Sequence, residues 1–151
     1  MKKRSRSYTF TLTADDNDFL RDYRFSEIMK TSDVTVSLRD IIIRIVQEYL
    51  DNLSHNTELC SKLKRKLDPN GPFMYRMSIL LPETLYAELE KDRIQQALSS
   101  QTMDRLARGY YIHGILTFYR AYLEDSGYEI IHRPENVKEA DRTKMLMSHF
   151  K

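Results

Sequence analysis

The chain has 151 residues, 41% of them hydrophobic and 30% charged, and its formal net charge of +2 is too small to indicate polyanion binding by itself. We expect one domain, or two small units that share a core, with no membrane span, because no stretch approaches ~18 consecutive apolar residues. The polar "YTFTLTADD" after the basic N-terminus argues against a secretory signal, and the single cysteine, Cys60, suits a reducing compartment, so we expect a cytoplasmic protein.

The first element in chain order is a strand over residues 7–13, where two kinds of side chain alternate strictly. Strict alternation predicts a strand with one buried face. The apolar residues would face the core, and the hydroxyl-bearing residues would form the other face. The apolar set is Tyr8, Phe10 and Leu12, and the hydroxyl set is Ser7, Thr9, Thr11 and Thr13.

Two helices are predicted after this strand. Asp15 and Asp16 favour the start of the first helix, whose loose apolar stripe extends to about Lys30. Ser37 and Asp40 resemble a capping box at the start of the second helix. Apolar residues then recur at helical spacing as far as Leu53, which predicts a long helix with one continuous apolar face.

A connector over residues 55–72 joins this half to the next. Leu59, Leu63 and Leu67 recur every fourth residue and predict a short helix, and the basic run "KLKRK" surrounds it. That helix would be a solvated spacer or a phosphate contact. The turn signal "DPNGP" ends the connector.

The second half repeats the order of elements. Residues 76–81 alternate as a strand, Pro82 suits the first position of a helix that extends to about Ala97, and residues 103–125 predict a broad apolar helix with Thr102 as its N-cap. The interval between strand and second helix would be about four residues longer in the first half. Two glycines in the last helix, Gly109 and Gly114, indicate close approach of a neighbouring helix.

Each half is therefore strand, helix, helix, over residues 6–54 and 73–126. Neither strand is stable alone, so we expect them to pair antiparallel above four helices. The predicted fold class is mainly α with one two-stranded antiparallel β-ribbon. Residues 127–151 would form an extended segment and then a helix, which pads the core, contacts neighbouring molecules or a protein partner, or forms a disordered tail.

The stretch "RMSILLPETLYAELEK", with its alternating strand followed by Leu-Pro-Glu, resembles ribbon-helix-helix DNA-binding proteins. "YTFTLTADD" matches the same plan without the proline, so the chain resembles the tandem members known from conjugative plasmids. The resemblance implies a pseudo-dimer within one chain, whose ribbon lies in the DNA major groove. It also implies a repressor or an accessory factor at a plasmid or mobile-element origin.

The resemblance further implies which residues meet double-stranded DNA. Base-edge readers would lie on the outer ribbon face, and phosphates would meet the second-helix N-termini, whose free N–H groups also favour anions physically. From its charge we expect the basic N-terminal arm to bind phosphates too. The expected base readers are Ser7, Thr9, Thr11, Arg76, Ser78 and Leu80, and the expected phosphate contacts are Lys2, Lys3, Arg4, Arg6, Ser37 and Thr102.

Catalysis is not expected. The four glycines cannot form a phosphate-cradling loop, and the four histidines and Cys60 lack metal-ligand spacing, so we expect no metal and no cofactor. An alternative hypothesis is a protein-interaction adaptor or antitoxin-like module, in which the ribbon serves only for dimerisation. Self-association on adjacent DNA sites also stays open.

Overall fold

The computed structural model describes residues 4–63, 71–99, 107–140 and 143. It confirms a mainly helical chain with one two-stranded antiparallel sheet. The elements are β1 (Ser5–Leu12), α1 (Ala14–Thr31), α2 (Leu38–Glu48), a π-helical turn (Tyr49–Leu53), α3 (Thr57–Lys62), β2 (Tyr75–Pro82), α4 (Glu83–Ser99) and α5 (Arg108–Asp125). Residues 135–140 are also helical.

The ribbon pairs β1 with β2 from Ser5 opposite Pro82 to Leu12 opposite Tyr75. As the alternation predicts, the apolar residues of both strands point toward the helices, because this is the only face on which the ribbon can exclude water. The buried strand residues are Tyr8, Phe10, Leu12, Tyr75, Ile79 and Leu81.

The two halves are interlocked rather than folded side by side. Helix α5 packs against β1, and α2 packs against β2, so each second helix covers the strand of the other half. Helix α1 in turn contacts both α2 and α5. One hydrophobic core therefore receives side chains from both strands and from α1, α2, α4 and α5.

The start of α5 differs from the prediction. The helix begins at Arg108 with Ala107 as its N-cap, five residues later than expected, and Thr102 lies outside the described residues. The interval from Leu12 to the N-cap Ser37 is 25 residues, and that from Leu81 to Ala107 is 26. The predicted difference of four residues between the halves is therefore wrong.

The start of α4 also differs. Pro82 is the last residue of β2, where it pairs with Ser5, and the helix begins at Glu83. A proline is tolerated here because it lacks only an N–H at the end of an edge strand. The Glu83 amide donates to the Arg4 carbonyl at 3.0 Å, so backbone pairing continues directly into the helix.

The capping box that begins α2 is confirmed. Ser37 Oγ accepts from the Asp40 amide, and the Asp40 carboxylate accepts from the Ser37 amide, both at 3.0 Å. The helical region reaches Leu53 as predicted, but its last turn is π-helical. The short connector helix is present as α3, with Asn56 as its N-cap.

The explanation for Gly109 needs a correction. A Cβ on Gly109 would lie 3.1 Å from the Thr11 carbonyl oxygen and 3.3 Å from Phe73 Cδ1. The close neighbours of Gly109 are therefore strand β1 and the residues before β2, not a helix. Glycine is required because the first turn of α5 meets the ribbon backbone.

The C-terminal segment packs on α1, which favours the core-padding interpretation for its described part. Asp22 is 4% exposed and accepts from Arg133 Nε at 2.6 Å and from His132 Nδ1 at 2.9 Å. Ser26, also buried, accepts from the Ile131 amide at 2.9 Å. These bonds join residues that are about 110 positions apart, so the segment is part of the fold.

A second buried polar pair joins α1 to α5. His113 Nδ1 lies 2.7 Å from Asp16 Oδ2, and both side chains are about 5% exposed or less. Asp16 was predicted to serve only the helix dipole, and its pairing with His113 was not anticipated.

Within the described parts of the chain, none of the helices is both long and apolar enough to span a membrane.

Candidate nucleic-acid interface

The outer face of the ribbon carries the six predicted base readers as three cross-strand pairs. Their Cα partners are Ser7 with Leu80, Thr9 with Ser78, and Thr11 with Arg76. All six side chains are exposed or partly exposed, because the period of two that buries the apolar residues turns these outward. The structure therefore brings them together on one surface, which we call the outer ribbon face.

The central pair of this face is hydrogen-bonded to itself. Thr9 Oγ1 and Ser78 Oγ lie 2.7 Å apart, and one of the two hydroxyls donates to the other. Only one of the two hydroxyl protons then stays available to an external acceptor. A hydroxyl pair of this kind contacts a base edge with little discrimination.

The two flanking pairs differ chemically. One end of the ribbon presents Arg76 beside Thr11, and among the described residues no carboxylate forms an ion pair with this arginine. The other end presents Leu80, 54% exposed, beside Ser7. Leu80 is the one apolar side chain of this face, and single exposed leucines are common on protein surfaces.

The N-terminus of α2 lies beside the Leu80 end. Arg39, an exposed residue of its first turn, donates from Nε to the Leu80 carbonyl oxygen at 2.6 Å. This bond holds a guanidinium against the edge of the ribbon. Sequence reasoning missed Arg39, since one arginine in a helical first turn carries no signal until the helix is placed against the strand.

Ser37, an expected phosphate contact, is exposed at this helix start, but it lies beside the carboxylate of Asp40. The hydrogen bonds from the Ser37 backbone and side chain hold the pKa of Asp40 below its usual range, so this carboxylate is ionised and disfavours a nearby phosphate. The amides of Leu38 and Arg39 are also in the first turn, where no intrahelical acceptor exists.

The N-terminus of α5 lies beside the opposite end, where Gly109 meets Thr11. Its arginine is occupied: Arg108 donates to Glu90 and to the Tyr86 hydroxyl, and its guanidinium lies 4.5 Å from the Tyr8 ring centroid. Burial lowers the pKa of Arg108, but the hydrogen bond and charge of Glu90 outweigh it and raise the pKa. Most of its charge is therefore neutralised within the protein.

The basic arm is only partly described. Lys2 and Lys3 lie outside the described residues, and Arg4 is exposed. Arg6 shares the inward face of β1 with Tyr8, and its guanidinium lies 4.1 Å from the Tyr86 ring centroid. Arg6 therefore stands at the side of the ribbon and not on the outer face.

Among the described residues, no group of three or more His, Cys, Asp or Glu side chains is arranged to hold a metal ion. In the connector, Lys62 Nζ forms an ion pair with Asp125 Oδ1 at 2.6 Å, which favours a structural spacer over a phosphate contact for this lysine. The rest of the basic run lies outside the described residues.

Comparison with known proteins assigns no relative: no family model matches the chain, and neither the curated proteins nor the solved structures yield a significant match.

Proposed function

We propose that this protein is a sequence-specific double-stranded DNA-binding protein of tandem ribbon-helix-helix architecture. It inserts its ribbon into the major groove and acts as a transcriptional repressor or as an accessory factor at a plasmid or mobile-element origin. The observation that carries the proposal is the outer ribbon face, a solvent-exposed two-stranded surface with Arg76 at one end and the whole core behind it.

The dimensions support this mode of binding. The major groove of B-DNA is about 12 Å wide and admits a two-stranded ribbon, whose strands lie about 4.8 Å apart. The side chains of the outer face are exposed or partly exposed, and the opposite face of the ribbon packs in the core with α1, α2, α4 and α5. A duplex can therefore approach without rearrangement of the described fold.

The tandem arrangement is supported by the helix starts. The first turn of α2 meets the Leu80 carbonyl through Arg39, and the first turn of α5 meets the Thr11 carbonyl at Gly109. Leu80 lies one residue before Leu81, and Thr11 one residue before Leu12, the last inward leucines of their strands. The two contacts therefore correspond under a two-fold exchange of the halves.

Charge supports the same surface. The exposed side chains of Arg4, Arg39 and Arg76 lie at the ribbon or beside its edges. Binding to phosphates through such groups displaces condensed cations, so the affinity for any duplex should fall steeply as salt rises.

The experiment is selection of bound duplexes from a random pool, followed by titration of wild type and Arg76→Ala on the selected site. If Arg76 clasps guanine O6 and N7, the variant loses about 1–3 kcal/mol at one base position. Lys91→Ala is the control, since it removes the same charge from an exposed position of α4 and should leave base preference unchanged.

The adaptor hypothesis predicts a different result. A ribbon used only for association would bind no duplex even at 50 mM salt, and Arg76→Ala would behave like Lys91→Ala. Either outcome would overturn the proposed function.

A further inference from the structure

The outer ribbon face is nearly symmetric in its backbone but not in its chemistry. A two-fold axis through the central pair Thr9–Ser78 would exchange the strands, placing Ser7 where Arg76 lies and Thr11 where Leu80 lies. Strand β1 thus presents only hydroxyls, and β2 presents a guanidinium at one end and an isobutyl group at the other. Each end of the ribbon offers a base pair a different partner.

We infer that the protein binds a non-palindromic duplex in a single orientation, with a guanine under Arg76 and a thymine methyl group under Leu80. The inference rests on the proposed function and extends it to the kind of site. Arginine pairs with guanine O6 and N7, and apolar side chains contact the thymine methyl group. These two preferences are different, so they give the site a direction.

The spacing of the two contacts follows from the register. Arg76 and Leu80 are four residues apart on one strand, which corresponds to about 13 Å at ~3.3 Å per residue. With ~3.4 Å between successive base pairs, the guanine and the thymine should be separated by about four base-pair steps. The self-bonded hydroxyls of Thr9 and Ser78 lie between them and should tolerate several bases.

The flanks of the ribbon reinforce the direction. Beside the Leu80 end, the Arg39 guanidinium is exposed and is held by a carbonyl oxygen, which leaves its positive charge intact. Beside the Arg76 end, the first arginine of α5 is Arg108, whose charge is paired with Glu90. Phosphate attraction should therefore be stronger on the thymine side of the site.

The first test exchanges side chains between the two strands of the outer ribbon face and leaves the core residues unchanged. The variant Ser7→Arg, Thr11→Leu, Arg76→Ser, Leu80→Thr moves the four flanking side chains of the outer face to their two-fold related positions and leaves the central pair unchanged. Selection from a random duplex pool should return the same asymmetric motif for both proteins. Arg76→Ala alone should reduce the preference for guanine about 5- to 150-fold, as expected for loss of a bidentate contact.

The second test reads the orientation directly. Ser5→Cys in a Cys60→Ser background places the only thiol at the Leu80 end of the ribbon, since Ser5 pairs with Pro82. An iron chelate attached there should cleave the selected duplex on the thymine side only. In the exchanged variant, the same thiol should cleave on the guanine side. Unfolding midpoints near that of wild type would show that both labelled proteins are folded.

The outcomes separate the two claims. A palindromic motif with equal cleavage on both sides would overturn the single orientation while leaving DNA binding in place. Cleavage that stays on the thymine side in the exchanged variant would show that the flanks, not Arg76 and Leu80, set the direction, and would also overturn the inference. If no duplex is enriched at all, the proposed function fails, and the inference fails with it.

Discussion

The two halves share an element order, yet their first helices are used differently. Helix α1 buries four polar residues besides its apolar ones, namely Asp16, Asn17, Asp22 and Ser26. Helix α4 buries only Leu85, Leu89 and Ala97, and leaves Ile94 44% exposed and Leu98 62% exposed. The C-terminal segment packs against α1 at Asp22 and Ser26, whereas Asp16 is paired with His113 of α5.

That segment supplies the charges that make burial of a carboxylate tolerable. Burial raises the pKa of Asp22, but the hydrogen bonds from His132 and Arg133 outweigh it and hold the pKa below its usual value. Lys138 adds a second cation beside that of Arg133, with Nζ 3.4 Å from the same carboxylate. The C-terminal segment therefore holds α1, the first helix of the first half. On the other side, a cavity of about 540 Å³ lies between α4, α5 and the π-helical turn.

The largest effect on stability is expected from Asp22→Ala. Removing the carboxylate leaves the Arg133 guanidinium, 4% exposed, buried without its main partner, and such a loss costs about 3–5 kcal/mol. Lys91→Ala, exposed and 69 residues later on α4, is the matched control and should cost under about 0.5 kcal/mol. Urea unfolding measures both values. Equal effects of the two substitutions would show that the ion pair between Asp22 and Arg133 contributes nothing to stability.

The second prediction concerns the contact between α5 and β1. Gly109→Val would force side-chain atoms against the Thr11 carbonyl and Phe73, so we expect destabilisation by about 1–3 kcal/mol. Gly71→Val is the control, because nothing lies within 4 Å of a Cβ at Gly71. A thermal unfolding midpoint unchanged by Gly109→Val would mean that the helix does not approach the ribbon this closely.

The helix starts give the third prediction. Ser37 caps α2 through a capping box, whereas Ala107, the N-cap of α5, has no side-chain oxygen. Ser37→Ala should therefore cost about 1 kcal/mol, and Ala107→Ser should stabilise by about 0.5–1 kcal/mol. Guanidinium denaturation measures the change in the free energy of unfolding for both variants. Stabilisation by both substitutions would contradict the predicted difference between the two helix starts.

The smallest effect is a pH dependence. The pKa of Asp22 is lower in the folded protein than its ordinary value of 3.8, so the unfolded chain binds this proton more readily. Its contribution to stability is present above about pH 4 and is lost as the pH falls through the lower, folded-state value. The free energy of unfolding should therefore decline less below pH 4 in Asp22→Asn than in wild type. Parallel declines in the two proteins would refute this assignment.

Local patterns in the sequence were sufficient for the elements and for their inner and outer faces. Alternation at Tyr8, Phe10 and Leu12 and at Met77, Ile79 and Leu81 predicts both strands, because successive side chains of a strand point to opposite faces. The capping box at Ser37 and Asp40 is equally local, so it was predicted correctly. The outer ribbon face follows from the same alternation, and its use in binding DNA stays a prediction.

The tertiary structure decided everything that depends on distant partners. The start of α5 at Arg108, the place of Arg39 beside Leu80 and the contact of Gly109 with Thr11 all arise where a helix from one half meets a strand from the other. The burial of Asp22 beneath Arg133 likewise joins positions 111 residues apart. Periodicity reports which face of an element is apolar, but it carries no information about which distant side chain will satisfy a polar group on that face.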